Sequence, residues 1–279
     1  HARDVDGLGG MPGASRIAAP LSVADLLAVE EPAERWIVPG LIPADANVLV
    51  AGYPKTHKTN FALAFGVSAT TASPFLGRFD VPATFRVGLV LMEDRAHRIR
   101  RRLERLAKGC GYELGDLDDW LFLWFRPALR LSDRVAMTEL AEWVARLDLD
   151  ALWIDNWSLV STGDSNDADE VTPQLDALTE LRESRPGLTV ILTHHARKAG
   201  QDRGAERLTD IIRNSSAFGA WYDVGIVLSR TDELSPVTVR AELRDLPSPE
   251  PFTFSVEDEF PAGPEYGVQP GGWLKLVAS

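Results

Sequence analysis

The segment NVLVAGYPKTHKT, residues 47–59, has the spacing of a phosphate-binding loop, G-x-x-x-x-G-K-[ST]. Its apolar first half predicts a buried strand, and a helix is predicted to begin at the Lys-Thr pair. In such a loop, backbone N–H groups and the positive end of the helix hold a phosphate. The residues expected to bind a nucleotide here are Gly52, Tyr53, Pro54, Lys55, Thr56, His57, Lys58, Thr59 and Asn60.

Three side chains of this loop bear on its expected chemistry. The Lys58 ammonium would reach the terminal phosphates of a nucleotide, and the Thr59 hydroxyl would ligate Mg²⁺. His57 departs from the motif, because it stands where the second glycine is expected. The departure affects nucleotide affinity if this position needs a positive φ, which glycine adopts readily.

Carboxylates follow two other predicted strands. Asp155 ends the apolar run 151–154, and a strand-end carboxylate beside the loop strand is where P-loop nucleoside triphosphatases hold Mg²⁺. An acid that only opens a turn is the alternative for this residue. Glu93 and Asp94 follow another apolar run, residues 86–92. We interpret Glu93 as a general base for an attacking water and Asp94 as the N-cap of the next helix.

A histidine pair and an arginine complete the candidate chemistry. His194 and His195 end the apolar run 188–193, where a polar pair can sense the γ-phosphate of a nucleotide. Neighbouring residues of a strand point to opposite faces, so the pair is poorly arranged to chelate one metal ion. Arg213 precedes a further predicted helix. It could stabilise transition-state charge in a neighbouring subunit, and a surface salt bridge is the alternative.

The charge distribution bears on nucleic-acid binding. The chain has 279 residues and a formal net charge of −12, which argues against a surface broadly committed to DNA. The arginine-rich segment 95–108 is interpreted as a solvated helix face, and residues 161–170 are acidic. Residues 196–213 carry a small excess of cations and form the candidate DNA-contacting loop. Besides Arg213, its cations are Arg197, Lys198, Arg203 and Arg207.

Strands and helices alternate along most of the chain, which is typical of an α/β fold with a mostly parallel central sheet flanked by helices. The last predicted strands, at 224–229, 237–243 and 252–256, are expected to lie antiparallel at the C-terminal edge. The predicted organisation is a poorly ordered lead-in over 1–21, one domain over 22–260 and a C-terminal tail over 261–279.

Cysteine usage and hydropathy indicate the environment of the protein. The single cysteine, Cys110, excludes an intramolecular disulfide and suits a reducing compartment, so a cytoplasmic location is expected. No apolar run approaches the length of a membrane span, and no membrane partner is expected.

Six segments, in this order, resemble the RecA-like P-loop ATPases of the plasmid RepA helicase type, relatives of the DnaB and KaiC groups. They are WIVPGLIP (36–43), the loop 52–59, LMED (91–94) with the arginine-rich segment after it, WID (153–155), THHARK (193–198) and RNSS (213–216). The resemblance covers roughly residues 22–245. The order and spacing of the six segments together are far more specific than any one segment alone.

The resemblance implies a RecA-like fold and ATP hydrolysis with Mg²⁺. It also implies a ring homo-oligomer, expected to be a hexamer, with active sites at subunit interfaces. The implied activity is that of a replicative DNA helicase or translocase acting on single-stranded DNA. The residues that match functional positions of the family are Lys58 and Thr59 for phosphate and metal, Glu93 as catalytic base, Asp155 as the metal-holding acid, His195 as sensor and Arg213 as arginine finger.

Two other functions stay open at this stage. One is a KaiC-like regulatory ATPase that acts on protein partners, which the acidic charge of the chain favours. The other is a nucleotide-binding assembly module without turnover, which the replacement at His57 would explain. Asn214 also stands where a glycine usually follows the finger arginine, and asparagine tolerates left-handed backbone geometry well.

Overall fold

The computed structural model describes residues 20–29, 34–196, 216–258 and 274–279. The chain forms two compact units, His1–Glu34 and Arg35–Ser279. In the first unit, helix α1 (Val23–Leu27) begins after Ser22, whose hydroxyl accepts a hydrogen bond from the Asp25 N–H. The Asp25 carboxylate accepts one from the Ser22 N–H in return, which completes a capping box.

The strands of the second unit alternate with helices, as the sequence predicts. The strands are β1 (Trp36–Val38), β2 (Ile42–Pro43), β3 (Asn47–Gly52), β4 (Val87–Leu91), β5 (Leu121–Phe125), β6 (Ala151–Asp155), β7 (Thr189–His195), β8 (Val224–Ser229), β9 (Val237–Leu243), β10 (Phe252–Asp258) and β11 (Leu274–Ala278). The helices are α2 (Lys58–Thr71), α3 (Ala96–Gly109), α4 (Arg134–Arg146), α5 (Trp157–Val160), α6 (Ala168–Glu183) and α7 (Ser216–Trp221), with a 3₁₀ turn at Leu114–Leu117.

One large sheet organises this unit. Its strand order is β11-β10-β9-β8-β3-β7-β6-β4-β5, and β1 and β2 form a separate antiparallel pair. From β8 to β5 neighbouring strands run parallel, whereas β9, β10 and β11 continue the sheet in antiparallel pairing. The predicted α/β fold, with a mostly parallel sheet and antiparallel strands at one edge, is confirmed.

Helices cover both faces of the parallel part of the sheet. Strand β3 is buried along its whole length, as expected for a parallel strand covered on both sides. Val48 and Val50 belong to the core under α2 and α3, whereas Leu49 and Ala51 belong to the core under α4, α5, α6 and α7. This alternation fixes the register of β3, because a slip by one residue would exchange its two faces. Within the described ranges, none of these helices is long and apolar enough to cross a membrane.

The end of the chain differs from the prediction of a tail over 261–279. Strand β11 pairs with β10 and forms an edge of the sheet, so residues 274–278 are part of the folded unit. Leu274 and Leu276 point into the core and Lys275 between them is exposed. This alternation is typical of a strand with one buried face. A strand of five residues after a Gly- and Pro-rich stretch is easily overlooked in the sequence.

Strand β11 also contacts the end of helix α3. The backbone carbonyl of Leu274 lies against Gly109, where a β-carbon would collide with it. A glycine is therefore required at this position for the close approach of helix and strand.

We expect the substitution Gly109→Ala to destabilise the protein by about 1–3 kcal/mol, because the added methyl group overpacks the contact with β11. Urea denaturation would measure the change. Gly115→Ala is the matched control, since a β-carbon there meets no atom within 4 Å. Equal stability of both variants would contradict the packing of β11 on α3.

Candidate functional site

The parallel strands bring the sequence-predicted site residues to one edge of the sheet. Gly52 ends β3, Asp155 ends β6, His195 ends β7, and Glu93 comes two residues after β4. Because the carboxyl ends of parallel strands share one edge, residues far apart in sequence come together there. That edge holds the candidate site.

The loop between β3 and α2 has the backbone geometry that its motif requires. His57 is the N-cap of α2, with φ 61° and ψ 26°. The position where glycine is replaced is therefore left-handed, as the sequence analysis considered, and such a φ is uncommon for histidine. At the start of the loop, a β-carbon on Gly52 would lie 2.8 Å from the carbonyl oxygen of Leu228 on β8. Glycine is required there because the two backbones approach so closely.

Lys58 is held inside the loop. Its ammonium donates hydrogen bonds to the carbonyl oxygens of Gly52 and Tyr53, both at 2.9 Å. Burial lowers the pKa of Lys58, and the nearby carboxylates of Asp155 and Glu93 oppose that shift. A buried ammonium at the first turn of a helix is well placed to hold an anion, together with the N–H groups of the helix.

The Thr59 hydroxyl and the Asp155 carboxylate form a hydrogen-bonded pair of oxygen groups. The Thr59 hydroxyl donates a 2.8 Å hydrogen bond to the Asp155 carboxylate. Asp155 is only 7% exposed, and burial raises the pKa of its carboxyl group. A buried carboxylate beside a hydroxyl fits Mg²⁺, which prefers oxygen ligands and would offset the cost of burying the charge.

Glu93 belongs to a hydrogen-bonded cluster with His195 and Asn156. The Asn156 amide donates to Glu93 Oε1 at 2.6 Å and lies 3.2 Å from His195 Nε2. The Glu93 carboxylate is itself 3.7 Å from His195 Nε2. Ser158 donates to the Asn156 amide oxygen at 2.6 Å, which fixes the orientation of that amide. The Asn156 amide therefore contacts both the candidate base, Glu93, and one candidate sensor, His195.

Asn156 is a site residue that the sequence analysis missed. It follows the strand-end Asp155 directly, so the reasoning that selected Asp155 also applies to it. Arg126, after β5, was missed as well. Its guanidinium donates to the main-chain carbonyl of Glu93, with Nε at 3.1 Å, and so holds the segment that carries the carboxylate.

The prediction of Asp94 as a helix N-cap is wrong. Helix α3 begins after Arg95, whose backbone is extended and which makes no side-chain capping bond. Asp94 lies one residue too early to cap the helix, and its carboxylate instead pairs with the Arg102 guanidinium at 2.9 Å. Another arginine of α3, Arg100, pairs with Glu104 four residues later. These contacts fit the interpretation of α3 as a charged, solvated face.

His194 and His195 lie on opposite faces of β7. His195 contacts the Glu93 cluster, whereas His194 is 2% exposed and packs against the ring of Phe218, with centroids 4.6 Å apart. Burial lowers the pKa of His194 to about 4, with the charge of His195 as a second cause. The placement of His194 does not support its predicted role as a sensor, because the strand turns it away from Glu93.

Several predicted site residues lie outside the described residues. They are Arg197, Lys198, Arg203, Arg207, Arg213 and Asn214. The remaining loop residues of the prediction, from Gly52 to Asn60, are all described.

The parallel sheet, the loop before α2 and the acids at the strand ends define a RecA-like P-loop ATPase. Comparison with protein families matches residues 13–201 to the AAA domain family. That match spans more than half of the chain, and the chain belongs to this family.

Solved structures share the fold at low sequence identity. A KaiC-like protein from Pyrococcus horikoshii OT3 is 18% identical, with a TM-score of 0.56 over 87% of this chain and 93% of that one. The ATPase domain of G40P is 15% identical, with a TM-score of 0.58 over 75% and 81% of the two chains. At such low sequence identity, structural similarity indicates a shared fold only. Comparison with curated protein sequences finds no significant match.

We expect His194 to make stability depend on pH. Its pKa is about 4 in the folded protein and near 6.5 in the unfolded chain, so the unfolded chain binds the extra proton between these values. The contribution of His194 is complete above pH 6.5 and is lost as the pH falls toward 4, by up to about 3 kcal/mol.

Urea denaturation across this pH range would measure the effect on the wild type and on His194→Gln. The carboxylates titrate in both proteins, so the difference between the two curves isolates the histidine. Parallel curves would contradict the buried, neutral state of His194.

Proposed function

We propose that the protein hydrolyses ATP with Mg²⁺ at this edge of the sheet. The observation that carries the proposal is the convergence of three groups: the loop with its buried Lys58, the Thr59–Asp155 pair, and the Glu93 cluster. These are a phosphate cradle, a pair of metal ligands and a candidate base, which is the set of parts that phosphoryl transfer to water needs.

The loop and Lys58 would bind the phosphates of ATP. On binding, the Lys58 ammonium exchanges its bonds to the carbonyls of Gly52 and Tyr53 for bonds to phosphate oxygens. Thr59 and Asp155 would hold Mg²⁺, which supplies positive charge to the phosphates when bound. The hydroxyl and carboxylate already lie within hydrogen-bonding distance of each other, so little reorganisation is needed.

Glu93 would accept a proton from the attacking water. Asn156 holds one of its carboxylate oxygens, and the other would orient the water. His195 contacts the same amide and would report loss of the γ-phosphate through it to the segment that follows β7. In this arrangement Asn156 links the catalytic base to the sensor.

We further propose a ring of identical subunits that acts as a RepA-type DNA helicase or translocase, with single-stranded DNA as a partner. The order of the six sequence segments supports this function. Arg213 would act as the finger arginine at the subunit interface. The loop cations Arg197, Lys198, Arg203 and Arg207 would contact DNA phosphates.

A second candidate function is a regulatory ATPase that acts on protein partners. The net charge of −12 favours this alternative, because binding to a DNA backbone needs clustered cations. A nucleotide-binding module without turnover is the third candidate.

We expect Glu93→Gln to retain ATP binding and to lose turnover by about 10²–10⁴-fold, the usual contribution of a general base. Glutamine keeps the size of the side chain and can still contact Asn156, so the site should stay intact. Binding of a fluorescent ATP analogue and steady-state hydrolysis would measure the two properties separately. Glu104→Gln, on α3, is the control that should behave as the wild type. A Glu93→Gln variant with normal turnover would remove Glu93 as the base.

The function is tested by measuring ATP hydrolysis with and without single-stranded DNA, at low and moderate salt. We expect DNA to stimulate hydrolysis several-fold at low salt, and the stimulation to fade as salt rises, because the contacts are made to phosphates. Hydrolysis that is indifferent to DNA would support the regulatory ATPase. ATP binding without any hydrolysis would support the assembly module.

A further inference from the structure

The segment that follows β8 contacts the phosphate-binding loop at its two left-handed residues. Lys55 and His57 are the residues of the loop 52–59 with positive φ, at 66° and 61°. The side chains of both reach residues 230–233: His57 contacts Arg230, and Lys55 forms an ion pair with Glu233. Residues 230–233 therefore contact the loop at the two positions where a residue other than glycine adopts a positive φ. Glycine would adopt this backbone geometry freely.

The donor and the acceptor in the contact between His57 and Arg230 can be assigned. Arg230 Nη1 lies 3.3 Å from His57 Nε2, and the Asn60 amide lies 3.3 Å from the other ring nitrogen. A guanidinium can only donate hydrogen bonds, so Nε2 is the acceptor and the ring is neutral. The ring proton is then on Nδ1, where the Asn60 amide nitrogen, itself a donor, makes a contact and not a hydrogen bond. The hydrogen bond from Arg230, at the end of a neighbouring strand, is therefore the one that holds the ring.

Arg230 is itself fixed in place. It follows β8 directly, and β8 pairs with β3, with Leu228 opposite Gly52. The same Nη1 atom donates to the main-chain carbonyl of Glu233 at 3.0 Å, which curls the segment back toward the loop. The Lys55–Glu233 pair is exposed, so it adds little on its own, and Arg230 is the stronger of the two supports.

We propose that Arg230 is a positioning residue of the nucleotide site, which holds His57 and so keeps the loop backbone in its phosphate-binding form without a second glycine. The inference rests on the proposed function of the loop. Arg230 acts through His57 and does not take part in the chemical step. Its removal should therefore weaken binding of nucleotide and leave the rate at saturation largely unchanged, because Glu93 and Asp155 are not affected.

The test is a double-mutant cycle with Arg230→Ala, His57→Gly and the double variant, with ATP as the probe. In the His57 background we expect Arg230→Ala to weaken ATP binding and raise KM about 5–10-fold, with kcat within about 2-fold. In the His57→Gly background, the same substitution should change neither value, because glycine needs no support at this φ. Arg244→Ala is the matched control: its guanidinium contacts the Ala220 carbonyl and Asp223, before β8, and binding should be unaffected.

An equal loss of affinity in both backgrounds would overturn the proposal, since Arg230 would then act independently of His57. Unchanged affinity in both backgrounds would overturn it as well. The free energy of unfolding of the same four proteins gives a second cycle that needs no nucleotide. If the wild type bound no ATP, the proposed function would fail, whereas coupling in this second cycle would still decide whether Arg230 supports His57.

Discussion

A buried carboxylate constrains the rest of this molecule. Asp155 ends an apolar strand inside the parallel part of the sheet, almost without contact with water, and burial raises the pKa of its carboxyl group. Such a group is costly unless hydrogen bonds or a cation compensate for the lost water. The Thr59 hydroxyl provides one hydrogen bond, and Thr59 reaches it only because the loop places the first turn of α2 over the end of β6. The position of the loop and the ionisation of Asp155 therefore depend on each other.

Different strands of the sheet position different groups of site residues. On one side, β3 and β8 supply the phosphate-binding loop and the arginine that contacts it. On the other, β4, β6 and β7 supply Glu93, Asn156 and His195, which share one hydrogen-bonded cluster. Asp155 connects the two sides, because it belongs to β6 and contacts a residue of α2. Asn156 follows Asp155 in the chain, so the Thr59–Asp155 hydrogen bond and the Glu93 cluster are joined by one peptide bond.

Strand ends were the part of the site that the sequence could predict. Polar residues after apolar runs identified Glu93 and Asp155, since strands of a parallel sheet end at one edge. The contact of His57 with Arg230 was not predictable, because these residues are 173 positions apart and follow strands β3 and β8, whose pairing in the sheet is not written in the sequence. The roles of His194 and His195 could not be separated for a similar reason: alternation shows that they lie on opposite faces, but only packing shows which of them faces Glu93. Strand β11 was missed because its five residues follow a Gly- and Pro-rich stretch.

The most direct test of the nucleotide site is a crystal structure of the protein with a non-hydrolysable ATP analogue and Mg²⁺. We expect the phosphates to lie within the loop 52–59 and the metal to contact the Thr59 hydroxyl close to Asp155. The Lys58 ammonium should have moved from the loop carbonyls to phosphate oxygens. A nucleotide bound elsewhere, or one bound here with Lys58 still on the carbonyls of Gly52 and Tyr53, would contradict the proposed site.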